Sequence, residues 1–362
     1  METEPSSITI SSVSIIIAAR NEEANLPSLL ASLQGLEVPK GIAVEFIFGN
    51  DQSTDATGAI LQAWCLTHPN AQTIHIERQE AGLVGKANVL AQLCDRATGH
   101  YFLFTDADCA VPSTWVAAMM AGFKPLSLHQ AGTTGQLGHR GAIGVVTGFS
   151  LPAGTSFLSQ MQRADWFVAQ ATIFALAELG RPITAMGNNM ATTKAAYLAA
   201  GGYRATKDSI TEDFALFWLI LRAGYGYSHV QTSSVLAHTE PMPNLQAWFT
   251  QRRRWLSGAL QLPIYDQWPF WGQMAYLPIV IGLSLFLGSW QFFLVSAALK
   301  VGLQTIAFGL YARLRKLSGL SLPTLFIYEY WTTAMAYALV FSYLRQPNVV
   351  WKARSYARPN TA

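Results

Sequence analysis

Tyr101-Phe102-Leu103-Phe104-Thr105-Asp106-Ala107-Asp108 is the stretch on which the fold turns. Five uncharged, β-prone residues predict a strand buried on both faces, and that strand runs directly into two carboxylates one residue apart. Strands of this kind belong to parallel sheets covered by helices on each side. In such sheets ligands gather beyond the carboxyl ends of the strands. Asp106 and Asp108 stand at that edge, where two carboxylates on one turn suit a hard divalent cation and, through it, a diphosphate. A D-x-D on an ordinary surface loop would be only a solvated turn; its place after the strand gives it meaning.

Upstream the chain alternates in the same way. Val13–Ala18 is a β-branched run that ends at Arg20-Asn21-Glu22, after which Asn25 is placed to cap a helix reaching Leu33. Val44–Phe48 ends at Gly49-Asn50-Asp51, and Thr54 and Asp55 open a second helix. Thr73–Ile76 is a third strand and Lys86–Cys94 a third helix. This alternation predicts an α/β fold: a Rossmann-like, mostly parallel sheet with helices on both faces. Asp51 reads either as a turn and capping residue or as a hydrogen-bonding partner for a nucleoside. Gly82-Leu83-Val84-Gly85-Lys86-Ala87 hints at a phosphate loop, but Glu80 and Ala87 break the Walker pattern. The segment therefore does not match a P-loop NTPase.

Downstream, Gly132–Gly144 reads as a mobile loop, and helices are predicted over Ser156–Leu179, Thr192–Ala200 and Glu212–Arg222. Gly201-Gly202 stops the second of these. Ser209 and Glu212, three residues apart, predict a capping box. Asp213 then reads either as a favourable charge on the helix dipole or as a general base facing the cleft.

Charge divides the chain. Among 362 residues, 51% are hydrophobic and only 12% charged, which excludes a disordered chain and a nucleic-acid-coating polycation. The net charge of +3 conceals −6 over residues 1–243 and +9 over residues 244–362. Trp268–Ser289 and Trp290–Tyr311 are 22 residues each and Leu322–Leu344 is 23, with Lys300 and Glu329 the only charges among them. At about 1.5 Å per residue each is roughly 33 Å long, enough to cross a hydrocarbon core. Lys300 and Glu329 mark either a polar pathway or a structural pair. Ahead of these runs, Leu245–Leu260 mixes aromatic residues with Arg252–Arg254 and reads as an amphipathic segment lying on anionic lipid, with Trp255 as an interfacial anchor. The basic clusters cannot all lie on one side of three full spans, so two or three spans are expected. Cys65, Cys94 and Cys109 fit a reduced compartment better than a disulfide framework, and residues 1–14 are too polar for a secretory signal.

Taken in order, these motifs resemble the family 2 glycosyltransferases of the GT-A fold, in particular membrane-bound members such as ceramide glucosyltransferases and cellulose, hyaluronan or poly-N-acetylglucosamine synthases. The resemblance covers Val13 to Leu260. Asn50-Asp51 with Ser53 and Asp55 is similar to the nucleotide-binding turn, and Thr105-Asp106-Ala107-Asp108 to the metal-binding D-x-D. Gly187-Asn188-Asn189-Met190 followed by Gly201-Gly202-Tyr203 resembles the acceptor-side segment. Thr211-Glu212-Asp213 resembles the catalytic-base motif, Gln251-Arg252-Arg253-Arg254-Trp255 the Q-x-x-R-W, and Trp351-Lys352-Ala353-Arg354 a tail of some bacterial members. Asn50 and Gln52 depart from the commoner Asp and Gly, and no apolar span precedes the first strand.

The resemblance implies a membrane-bound inverting enzyme moving a sugar from a nucleotide sugar, a UDP-sugar, to a lipid hydroxyl. It implies donor contacts from Ala18, Arg20, Glu22, Asp51, Lys86 and Asp106, and Mg2+ or Mn2+ on Asp106 and Asp108. Asp213 is the implied base, with Glu212, Gln251, Arg254 and Trp255 in the catalytic set and Gly187, Asn188, Asn189 and Trp255 on the acceptor. The expected organisation is a cytosolic GT-A domain over residues 1–243, an interface segment over 244–267, transmembrane helices over 268–346 and a basic tail over 347–362. The expected setting is a bacterial inner membrane, crossed more than once, with a lipid or glycan acceptor and no nucleic-acid partner. Two other readings stay open: a processive polysaccharide synthase, and a non-catalytic transport or assembly subunit.

Overall fold

The computed structural model describes residues 11–124, 141–207, 209, 211–317, 321–345, 349–351 and 354–356. The expected loop at Gly132–Gly144 falls mostly outside these residues, as do Lys352 and Arg358 of the basic tail. The chain divides into two compact units, Met1–Ser150 with Ala177–Thr239, and Leu151–Leu176 with Glu240–Ala362. A single cut near residue 243 would not reproduce this division, because Leu151–Leu176 counts with the later unit.

The first unit begins with β1 (Ser11–Ala19), α1 (Leu26–Gln34), β2 (Ile42–Asn50), α2 (Thr57–Thr67), β3 (Ala71–His75), α3 (Lys86–Arg96) and β4 (Tyr101–Thr105). β5 (Cys109–Ala110), α4 (Trp115–Ala121), β6 (Ile143–Thr147) and β7 (Phe149–Pro152) follow. After α5 (Phe157–Glu178) come β8 (Asn189–Thr193), α6 (Lys194–Ala199), α7 (Glu212–Arg222), β9 (Gly226–His229) and β10 (Leu236–Thr239). The main sheet has seven strands in the order β3-β2-β1-β4-β8-β6-β9. β1 lies parallel to both β2 and β4, and Ile15, Ile16 and Ile17 are fully buried, as the apolar run requires.

One strand reverses the pattern. β8 pairs antiparallel with β4 on one side and β6 on the other, so the sheet is mixed but mostly parallel. The helix expected over Thr192–Ala200 is therefore two elements. Thr192 is buried in the sheet, and the Thr193 side chain accepts the Ala196 N–H to start α6. Pairing on both flanks outweighs the local helical preference of the alanines that follow.

The second unit is helical, with α5 up to Leu176, α8 (Leu245–Ala259), α9 (Trp268–Phe286), α10 (Trp290–Leu314) and α11 (Leu322–Arg345). All three apolar runs are helices. Two of them, α9 and α10, are long and apolar enough to cross a membrane; α11 is long enough but falls below that apolarity. Gly288 takes a positive φ between α9 and α10, and Ser289 caps α10 by accepting the Phe292 N–H at 3.3 Å. Inside the bundle Lys300 pairs with Glu329, and Gln273 joins both, accepting from Lys300 at 3.0 Å and donating to Glu329 at 3.1 Å. The two charges thus meet as a pair, as the structural reading expects, and a polar pathway could run through the same pair.

Candidate active site

The D-A-D turn is clamped at both ends. Before it, Thr105 of β4 pairs with Asn189 of β8; after it, Cys109 of β5 pairs with Thr239 of β10. The Cys109 N–H donates to the Asp106 carbonyl at 3.1 Å, closing the turn. Ala107 points into the core at 2% exposure, which turns Asp106 and Asp108 outward on either side of it. Cys109 Sγ contacts Asp108 Oδ1 at 3.4 Å, and burial next to this carboxylate pushes the thiol well above its ordinary value.

Lys86 crosses from α3 to this turn. Gly85 holds a positive φ, the left-handed conformation that favours glycine, and Lys86 opens the helix immediately after it. Its ammonium pairs with Asp106 and lies 3.7 Å from Glu212 Oε1 at the start of α7. Burial alone would depress the amine, but Asp106, then Glu212 and Asp213, hold it above its ordinary value. One cation therefore links the strand-end carboxylate to the acidic start of α7.

Glu212 is buried for this purpose and not as half of a capping box. Thr211 is the N-cap, with no side-chain bond, and Ser209 is spent on its own turn, exchanging hydrogen bonds with the backbone of Thr211. Asp213, half-buried, accepts the Gly187 N–H at 2.8 Å on Oδ2 and the Phe214 N–H at 2.8 Å on Oδ1. Each oxygen keeps a further lone pair, so the carboxylate is oriented and can still accept another hydrogen bond.

The remaining strand-edge residues form a second corner. Arg20 lies 3.7 Å from Asp51 as an ion pair and donates to the Asp51 carbonyl at 3.2 Å. The turns after β1 and β2 hold Asn21 and Gln52, both at positive φ. They are laced by bonds from Thr54 N–H to Asn21 Oδ1 at 2.9 Å and from Glu22 N–H to Thr57 Oγ1 at 2.7 Å. Glu22 also accepts from Asn25 at 2.6 Å, so it braces the turn. Asn50, which departs from the commoner Asp, accepts the Ser53 N–H at 3.1 Å and holds the next turn. Ala18 is half-buried at the end of β1.

The acceptor-side segment splits in two. Asn189 is fully buried: it accepts from Trp115 Nε1 at 2.9 Å and donates to the carbonyls of Phe149 and Val235. Its amide is committed inside the fold, with both N–H groups spent on backbone carbonyls. Asn188 accepts from Ser150 at 3.3 Å and lies 3.6 Å from Cys109 Sγ.

The second unit carries Gln251, Arg254 and Trp255 on α8. Gln251 is buried, while Arg254 and Trp255 are half-buried. Arg252 and Arg253 are buried at 7% and 8%, so the expectation of a solvated basic face on anionic lipid does not hold for them. For Arg252 the reason lies on α5, where Asp165 pairs with it. Sequence reasoning missed Asp165, for it lies far from Arg252 in the chain and no local pattern singles it out.

Two family models match the chain: Glycosyl transferase family 2 over residues 14–128, and Glycosyl transferase family group 2 over residues 132–344, the latter more than half of its length. The chain belongs to the family 2 glycosyltransferases. This family 2 chain is 28% identical over 261 residues to a beta-monoglucosyldiacylglycerol synthase of Nostoc sp. (strain PCC 7120), covering 71% of this chain and 50% of the relative. It is 24% identical over 261 residues to a poly-beta-1,6-N-acetyl-D-glucosamine synthase of Staphylococcus epidermidis, covering 72% of this chain and 57% of the relative. The chain thus spans about half the length of the curated relatives it matches. The mannosyltransferase PcManGT from Pyrobaculum calidifontis, solved with GDP-Man and Mn2+, shares the fold: TM-score 0.54 at 17% identity, over 92% of this chain and 86% of that one. The expected GT-A fold followed by a helical region is the fold observed.

Among the described residues no cluster of three or more His, Cys, Asp or Glu side chains forms a closed metal cage. Asp106 and Asp108 turn outward side by side, with Asp106 already shared with the Lys86 ammonium; two carboxylates completed by substrate phosphates and water are a common way of holding Mg2+.

Proposed function

We propose that the protein transfers a sugar from a nucleotide sugar, a UDP-sugar, to the hydroxyl of a membrane lipid, inverting the anomeric centre. The observation that carries this reading is the Lys86 ammonium, shared between Asp106 of the D-A-D turn and Glu212 beside Asp213. It brings the diphosphate-side carboxylate and the base motif into one constellation.

Arg20 and Asp51, with Ala18 and Glu22 behind them, receive the nucleoside. Asp106 and Asp108 would hold Mg2+ or Mn2+, which when bound neutralises charge on the leaving diphosphate. Lys86 adds a fixed positive charge at the same carboxylate. Asp213 takes the acceptor hydroxyl proton; the freed oxygen attacks the anomeric carbon opposite the departing diphosphate, so configuration inverts. A positioned general base contributes about 10²–10⁴-fold. Gly187 and Asn188 border the acceptor. From the second unit we carry forward Gln251 and Arg254 as leaving-group partners and Trp255 as an aromatic platform for the acceptor. Membrane attachment through α9 and α10, with the sheet on the cytoplasmic side, completes the proposal.

The glucosyldiacylglycerol synthase relative supports the lipid acceptor. The poly-N-acetylglucosamine synthase relative supports a polymerising alternative. Incubating membranes with a panel of labelled sugar nucleotides separates them, as one sugar on an extractable lipid or as a long polymer. Asp213→Asn is expected to abolish transfer with nucleotide binding retained, and near-normal turnover by that variant would remove the base assignment.

A further inference from the structure

The second unit contains an ion pair between a buried Arg252 and a half-buried Asp165, with an aromatic ring placed on it. Asp165, on α5, pairs through Oδ2 with Arg252 and accepts the Tyr328 hydroxyl of α11 on Oδ1 at 3.0 Å. The Arg252 guanidinium carbon lies 4.1 Å from the centre of the Trp255 ring and 5.4 Å from that of Trp248. Trp166, next to Asp165 in sequence, meets Trp255 edge-on, with centroids 5.1 Å apart and planes at 63°. Trp255 is thereby braced by a cation on its ring and by an indole edge, and the rest of it is half-exposed.

We infer that Asp165 and Arg252 are a positioning pair that sets the indole of Trp255 for its acceptor; the acceptor role itself rests on the proposed transferase reading. A guanidinium buried to 7% exposure is tolerated only when a carboxylate answers it, because an uncompensated buried charge is strongly unfavourable. Asp165 is that carboxylate, and Tyr328 fixes its second oxygen. The planar guanidinium then lies against the ring, an arrangement that a lysine cannot reproduce. Remove the charge of Asp165 and Arg252 loses the reason to lie against the ring, leaving the indole free to turn. A mere cross-link of α5, α8 and α11 would hold the helices together without setting the ring.

The test uses the full chain in detergent micelles, labelled with 5-fluorotryptophan. The fluorine resonance lost in Trp255→Phe identifies Trp255. Asp165→Asn keeps the size of the side chain and an acceptor for Tyr328, and is expected to shift or broaden that one resonance while UDP still binds. Arg252→Lys is expected to do the same, and serves if Asp165→Asn fails to fold. An unmoved Trp255 resonance in a folded variant overturns the inference. In turnover assays both variants should raise the acceptor KM by about tenfold at constant donor KM, and this effect should vanish in a Trp255→Ala background. A KM effect that persists without Trp255 marks a cross-link only and rejects the positioning role. Absence of UDP binding and transfer in the wild type would defeat the transferase reading instead, and leaves the fluorine result to decide the pair.

Discussion

The Gly187 N–H donates to Asp213 Oδ2 at 2.8 Å, and a Cβ on Gly187 would stand 2.7 Å from Asp213 Cβ. The glycine is thus the reason that α7 can present Asp213 where it does. Gly187→Ala must push the carboxylate away or lose the bond. Small misplacements of a reacting group cost about 10²-fold in rate. We expect a fall in kcat of that order with donor KM unchanged; wild-type kcat in a folded Gly187→Ala protein would show that Asp213 needs no such placement.

Lys86 stands between Asp106 and Glu212, so its removal leaves two carboxylates without the cation that joins them. If Lys86 turns to the diphosphate when the donor binds, that hydrogen bond to a charged group is worth about 1.5–3 kcal/mol, and its loss weakens binding by at least about tenfold. Lys86→Gln is expected to weaken UDP affinity accordingly, measured by calorimetry in the presence of Mn2+. Unchanged affinity would take Lys86 out of the donor site.

What could be read in advance depended on how local its cause was. Tyr101–Thr105 and Glu212–Arg222 have the expected bounds, because an apolar run closed by carboxylates and an amphipathic run closed by Gly224 carry their own signals. Asn189–Thr193 did not announce itself as a strand, since its partners on β4 and β6 lie far away in the chain. Ser209 and Glu212 show the opposite failure. Their spacing fits a capping box, yet Glu212 turns to Lys86, a long-range partner that outweighs the local bond. The D-A-D turn was legible as a candidate site, whereas the commitment of Asn189 to Trp115 became visible only once the sheet was assembled.

His229 is buried in β9 against Thr147, with Thr147 Oγ1 2.5 Å from Nδ1, and burial pushes its imidazole down from 6.5 to about 4. The folded state therefore resists a proton that the unfolded chain accepts below about pH 6.5. The stabilisation is full above that value and is lost as the pH falls towards about 4, a span worth about 3 kcal/mol. Urea unfolding of the sheet unit should show a lower midpoint at about pH 5 than at about pH 7.5, and His229→Gln should flatten the difference. The same slope in the variant would assign the acid sensitivity to carboxylates instead.

Lys300 and Glu329 neutralise each other between α10 and α11, and Gln273 of α9 bonds to both. Removing one partner strands the other in an apolar bundle, which costs about 3–5 kcal/mol, whereas replacing both with apolar side chains is often neutral or stabilising. Lys300→Met alone should therefore lower the thermal midpoint of the detergent-solubilised protein sharply, and Glu329→Leu added to it should restore most of the loss. A polar pathway would behave differently, because the double variant would recover stability but lose turnover. Recovery of both stability and turnover marks the pair as a helix tether, and a double variant no more stable than Lys300→Met would break the coupling argued for it.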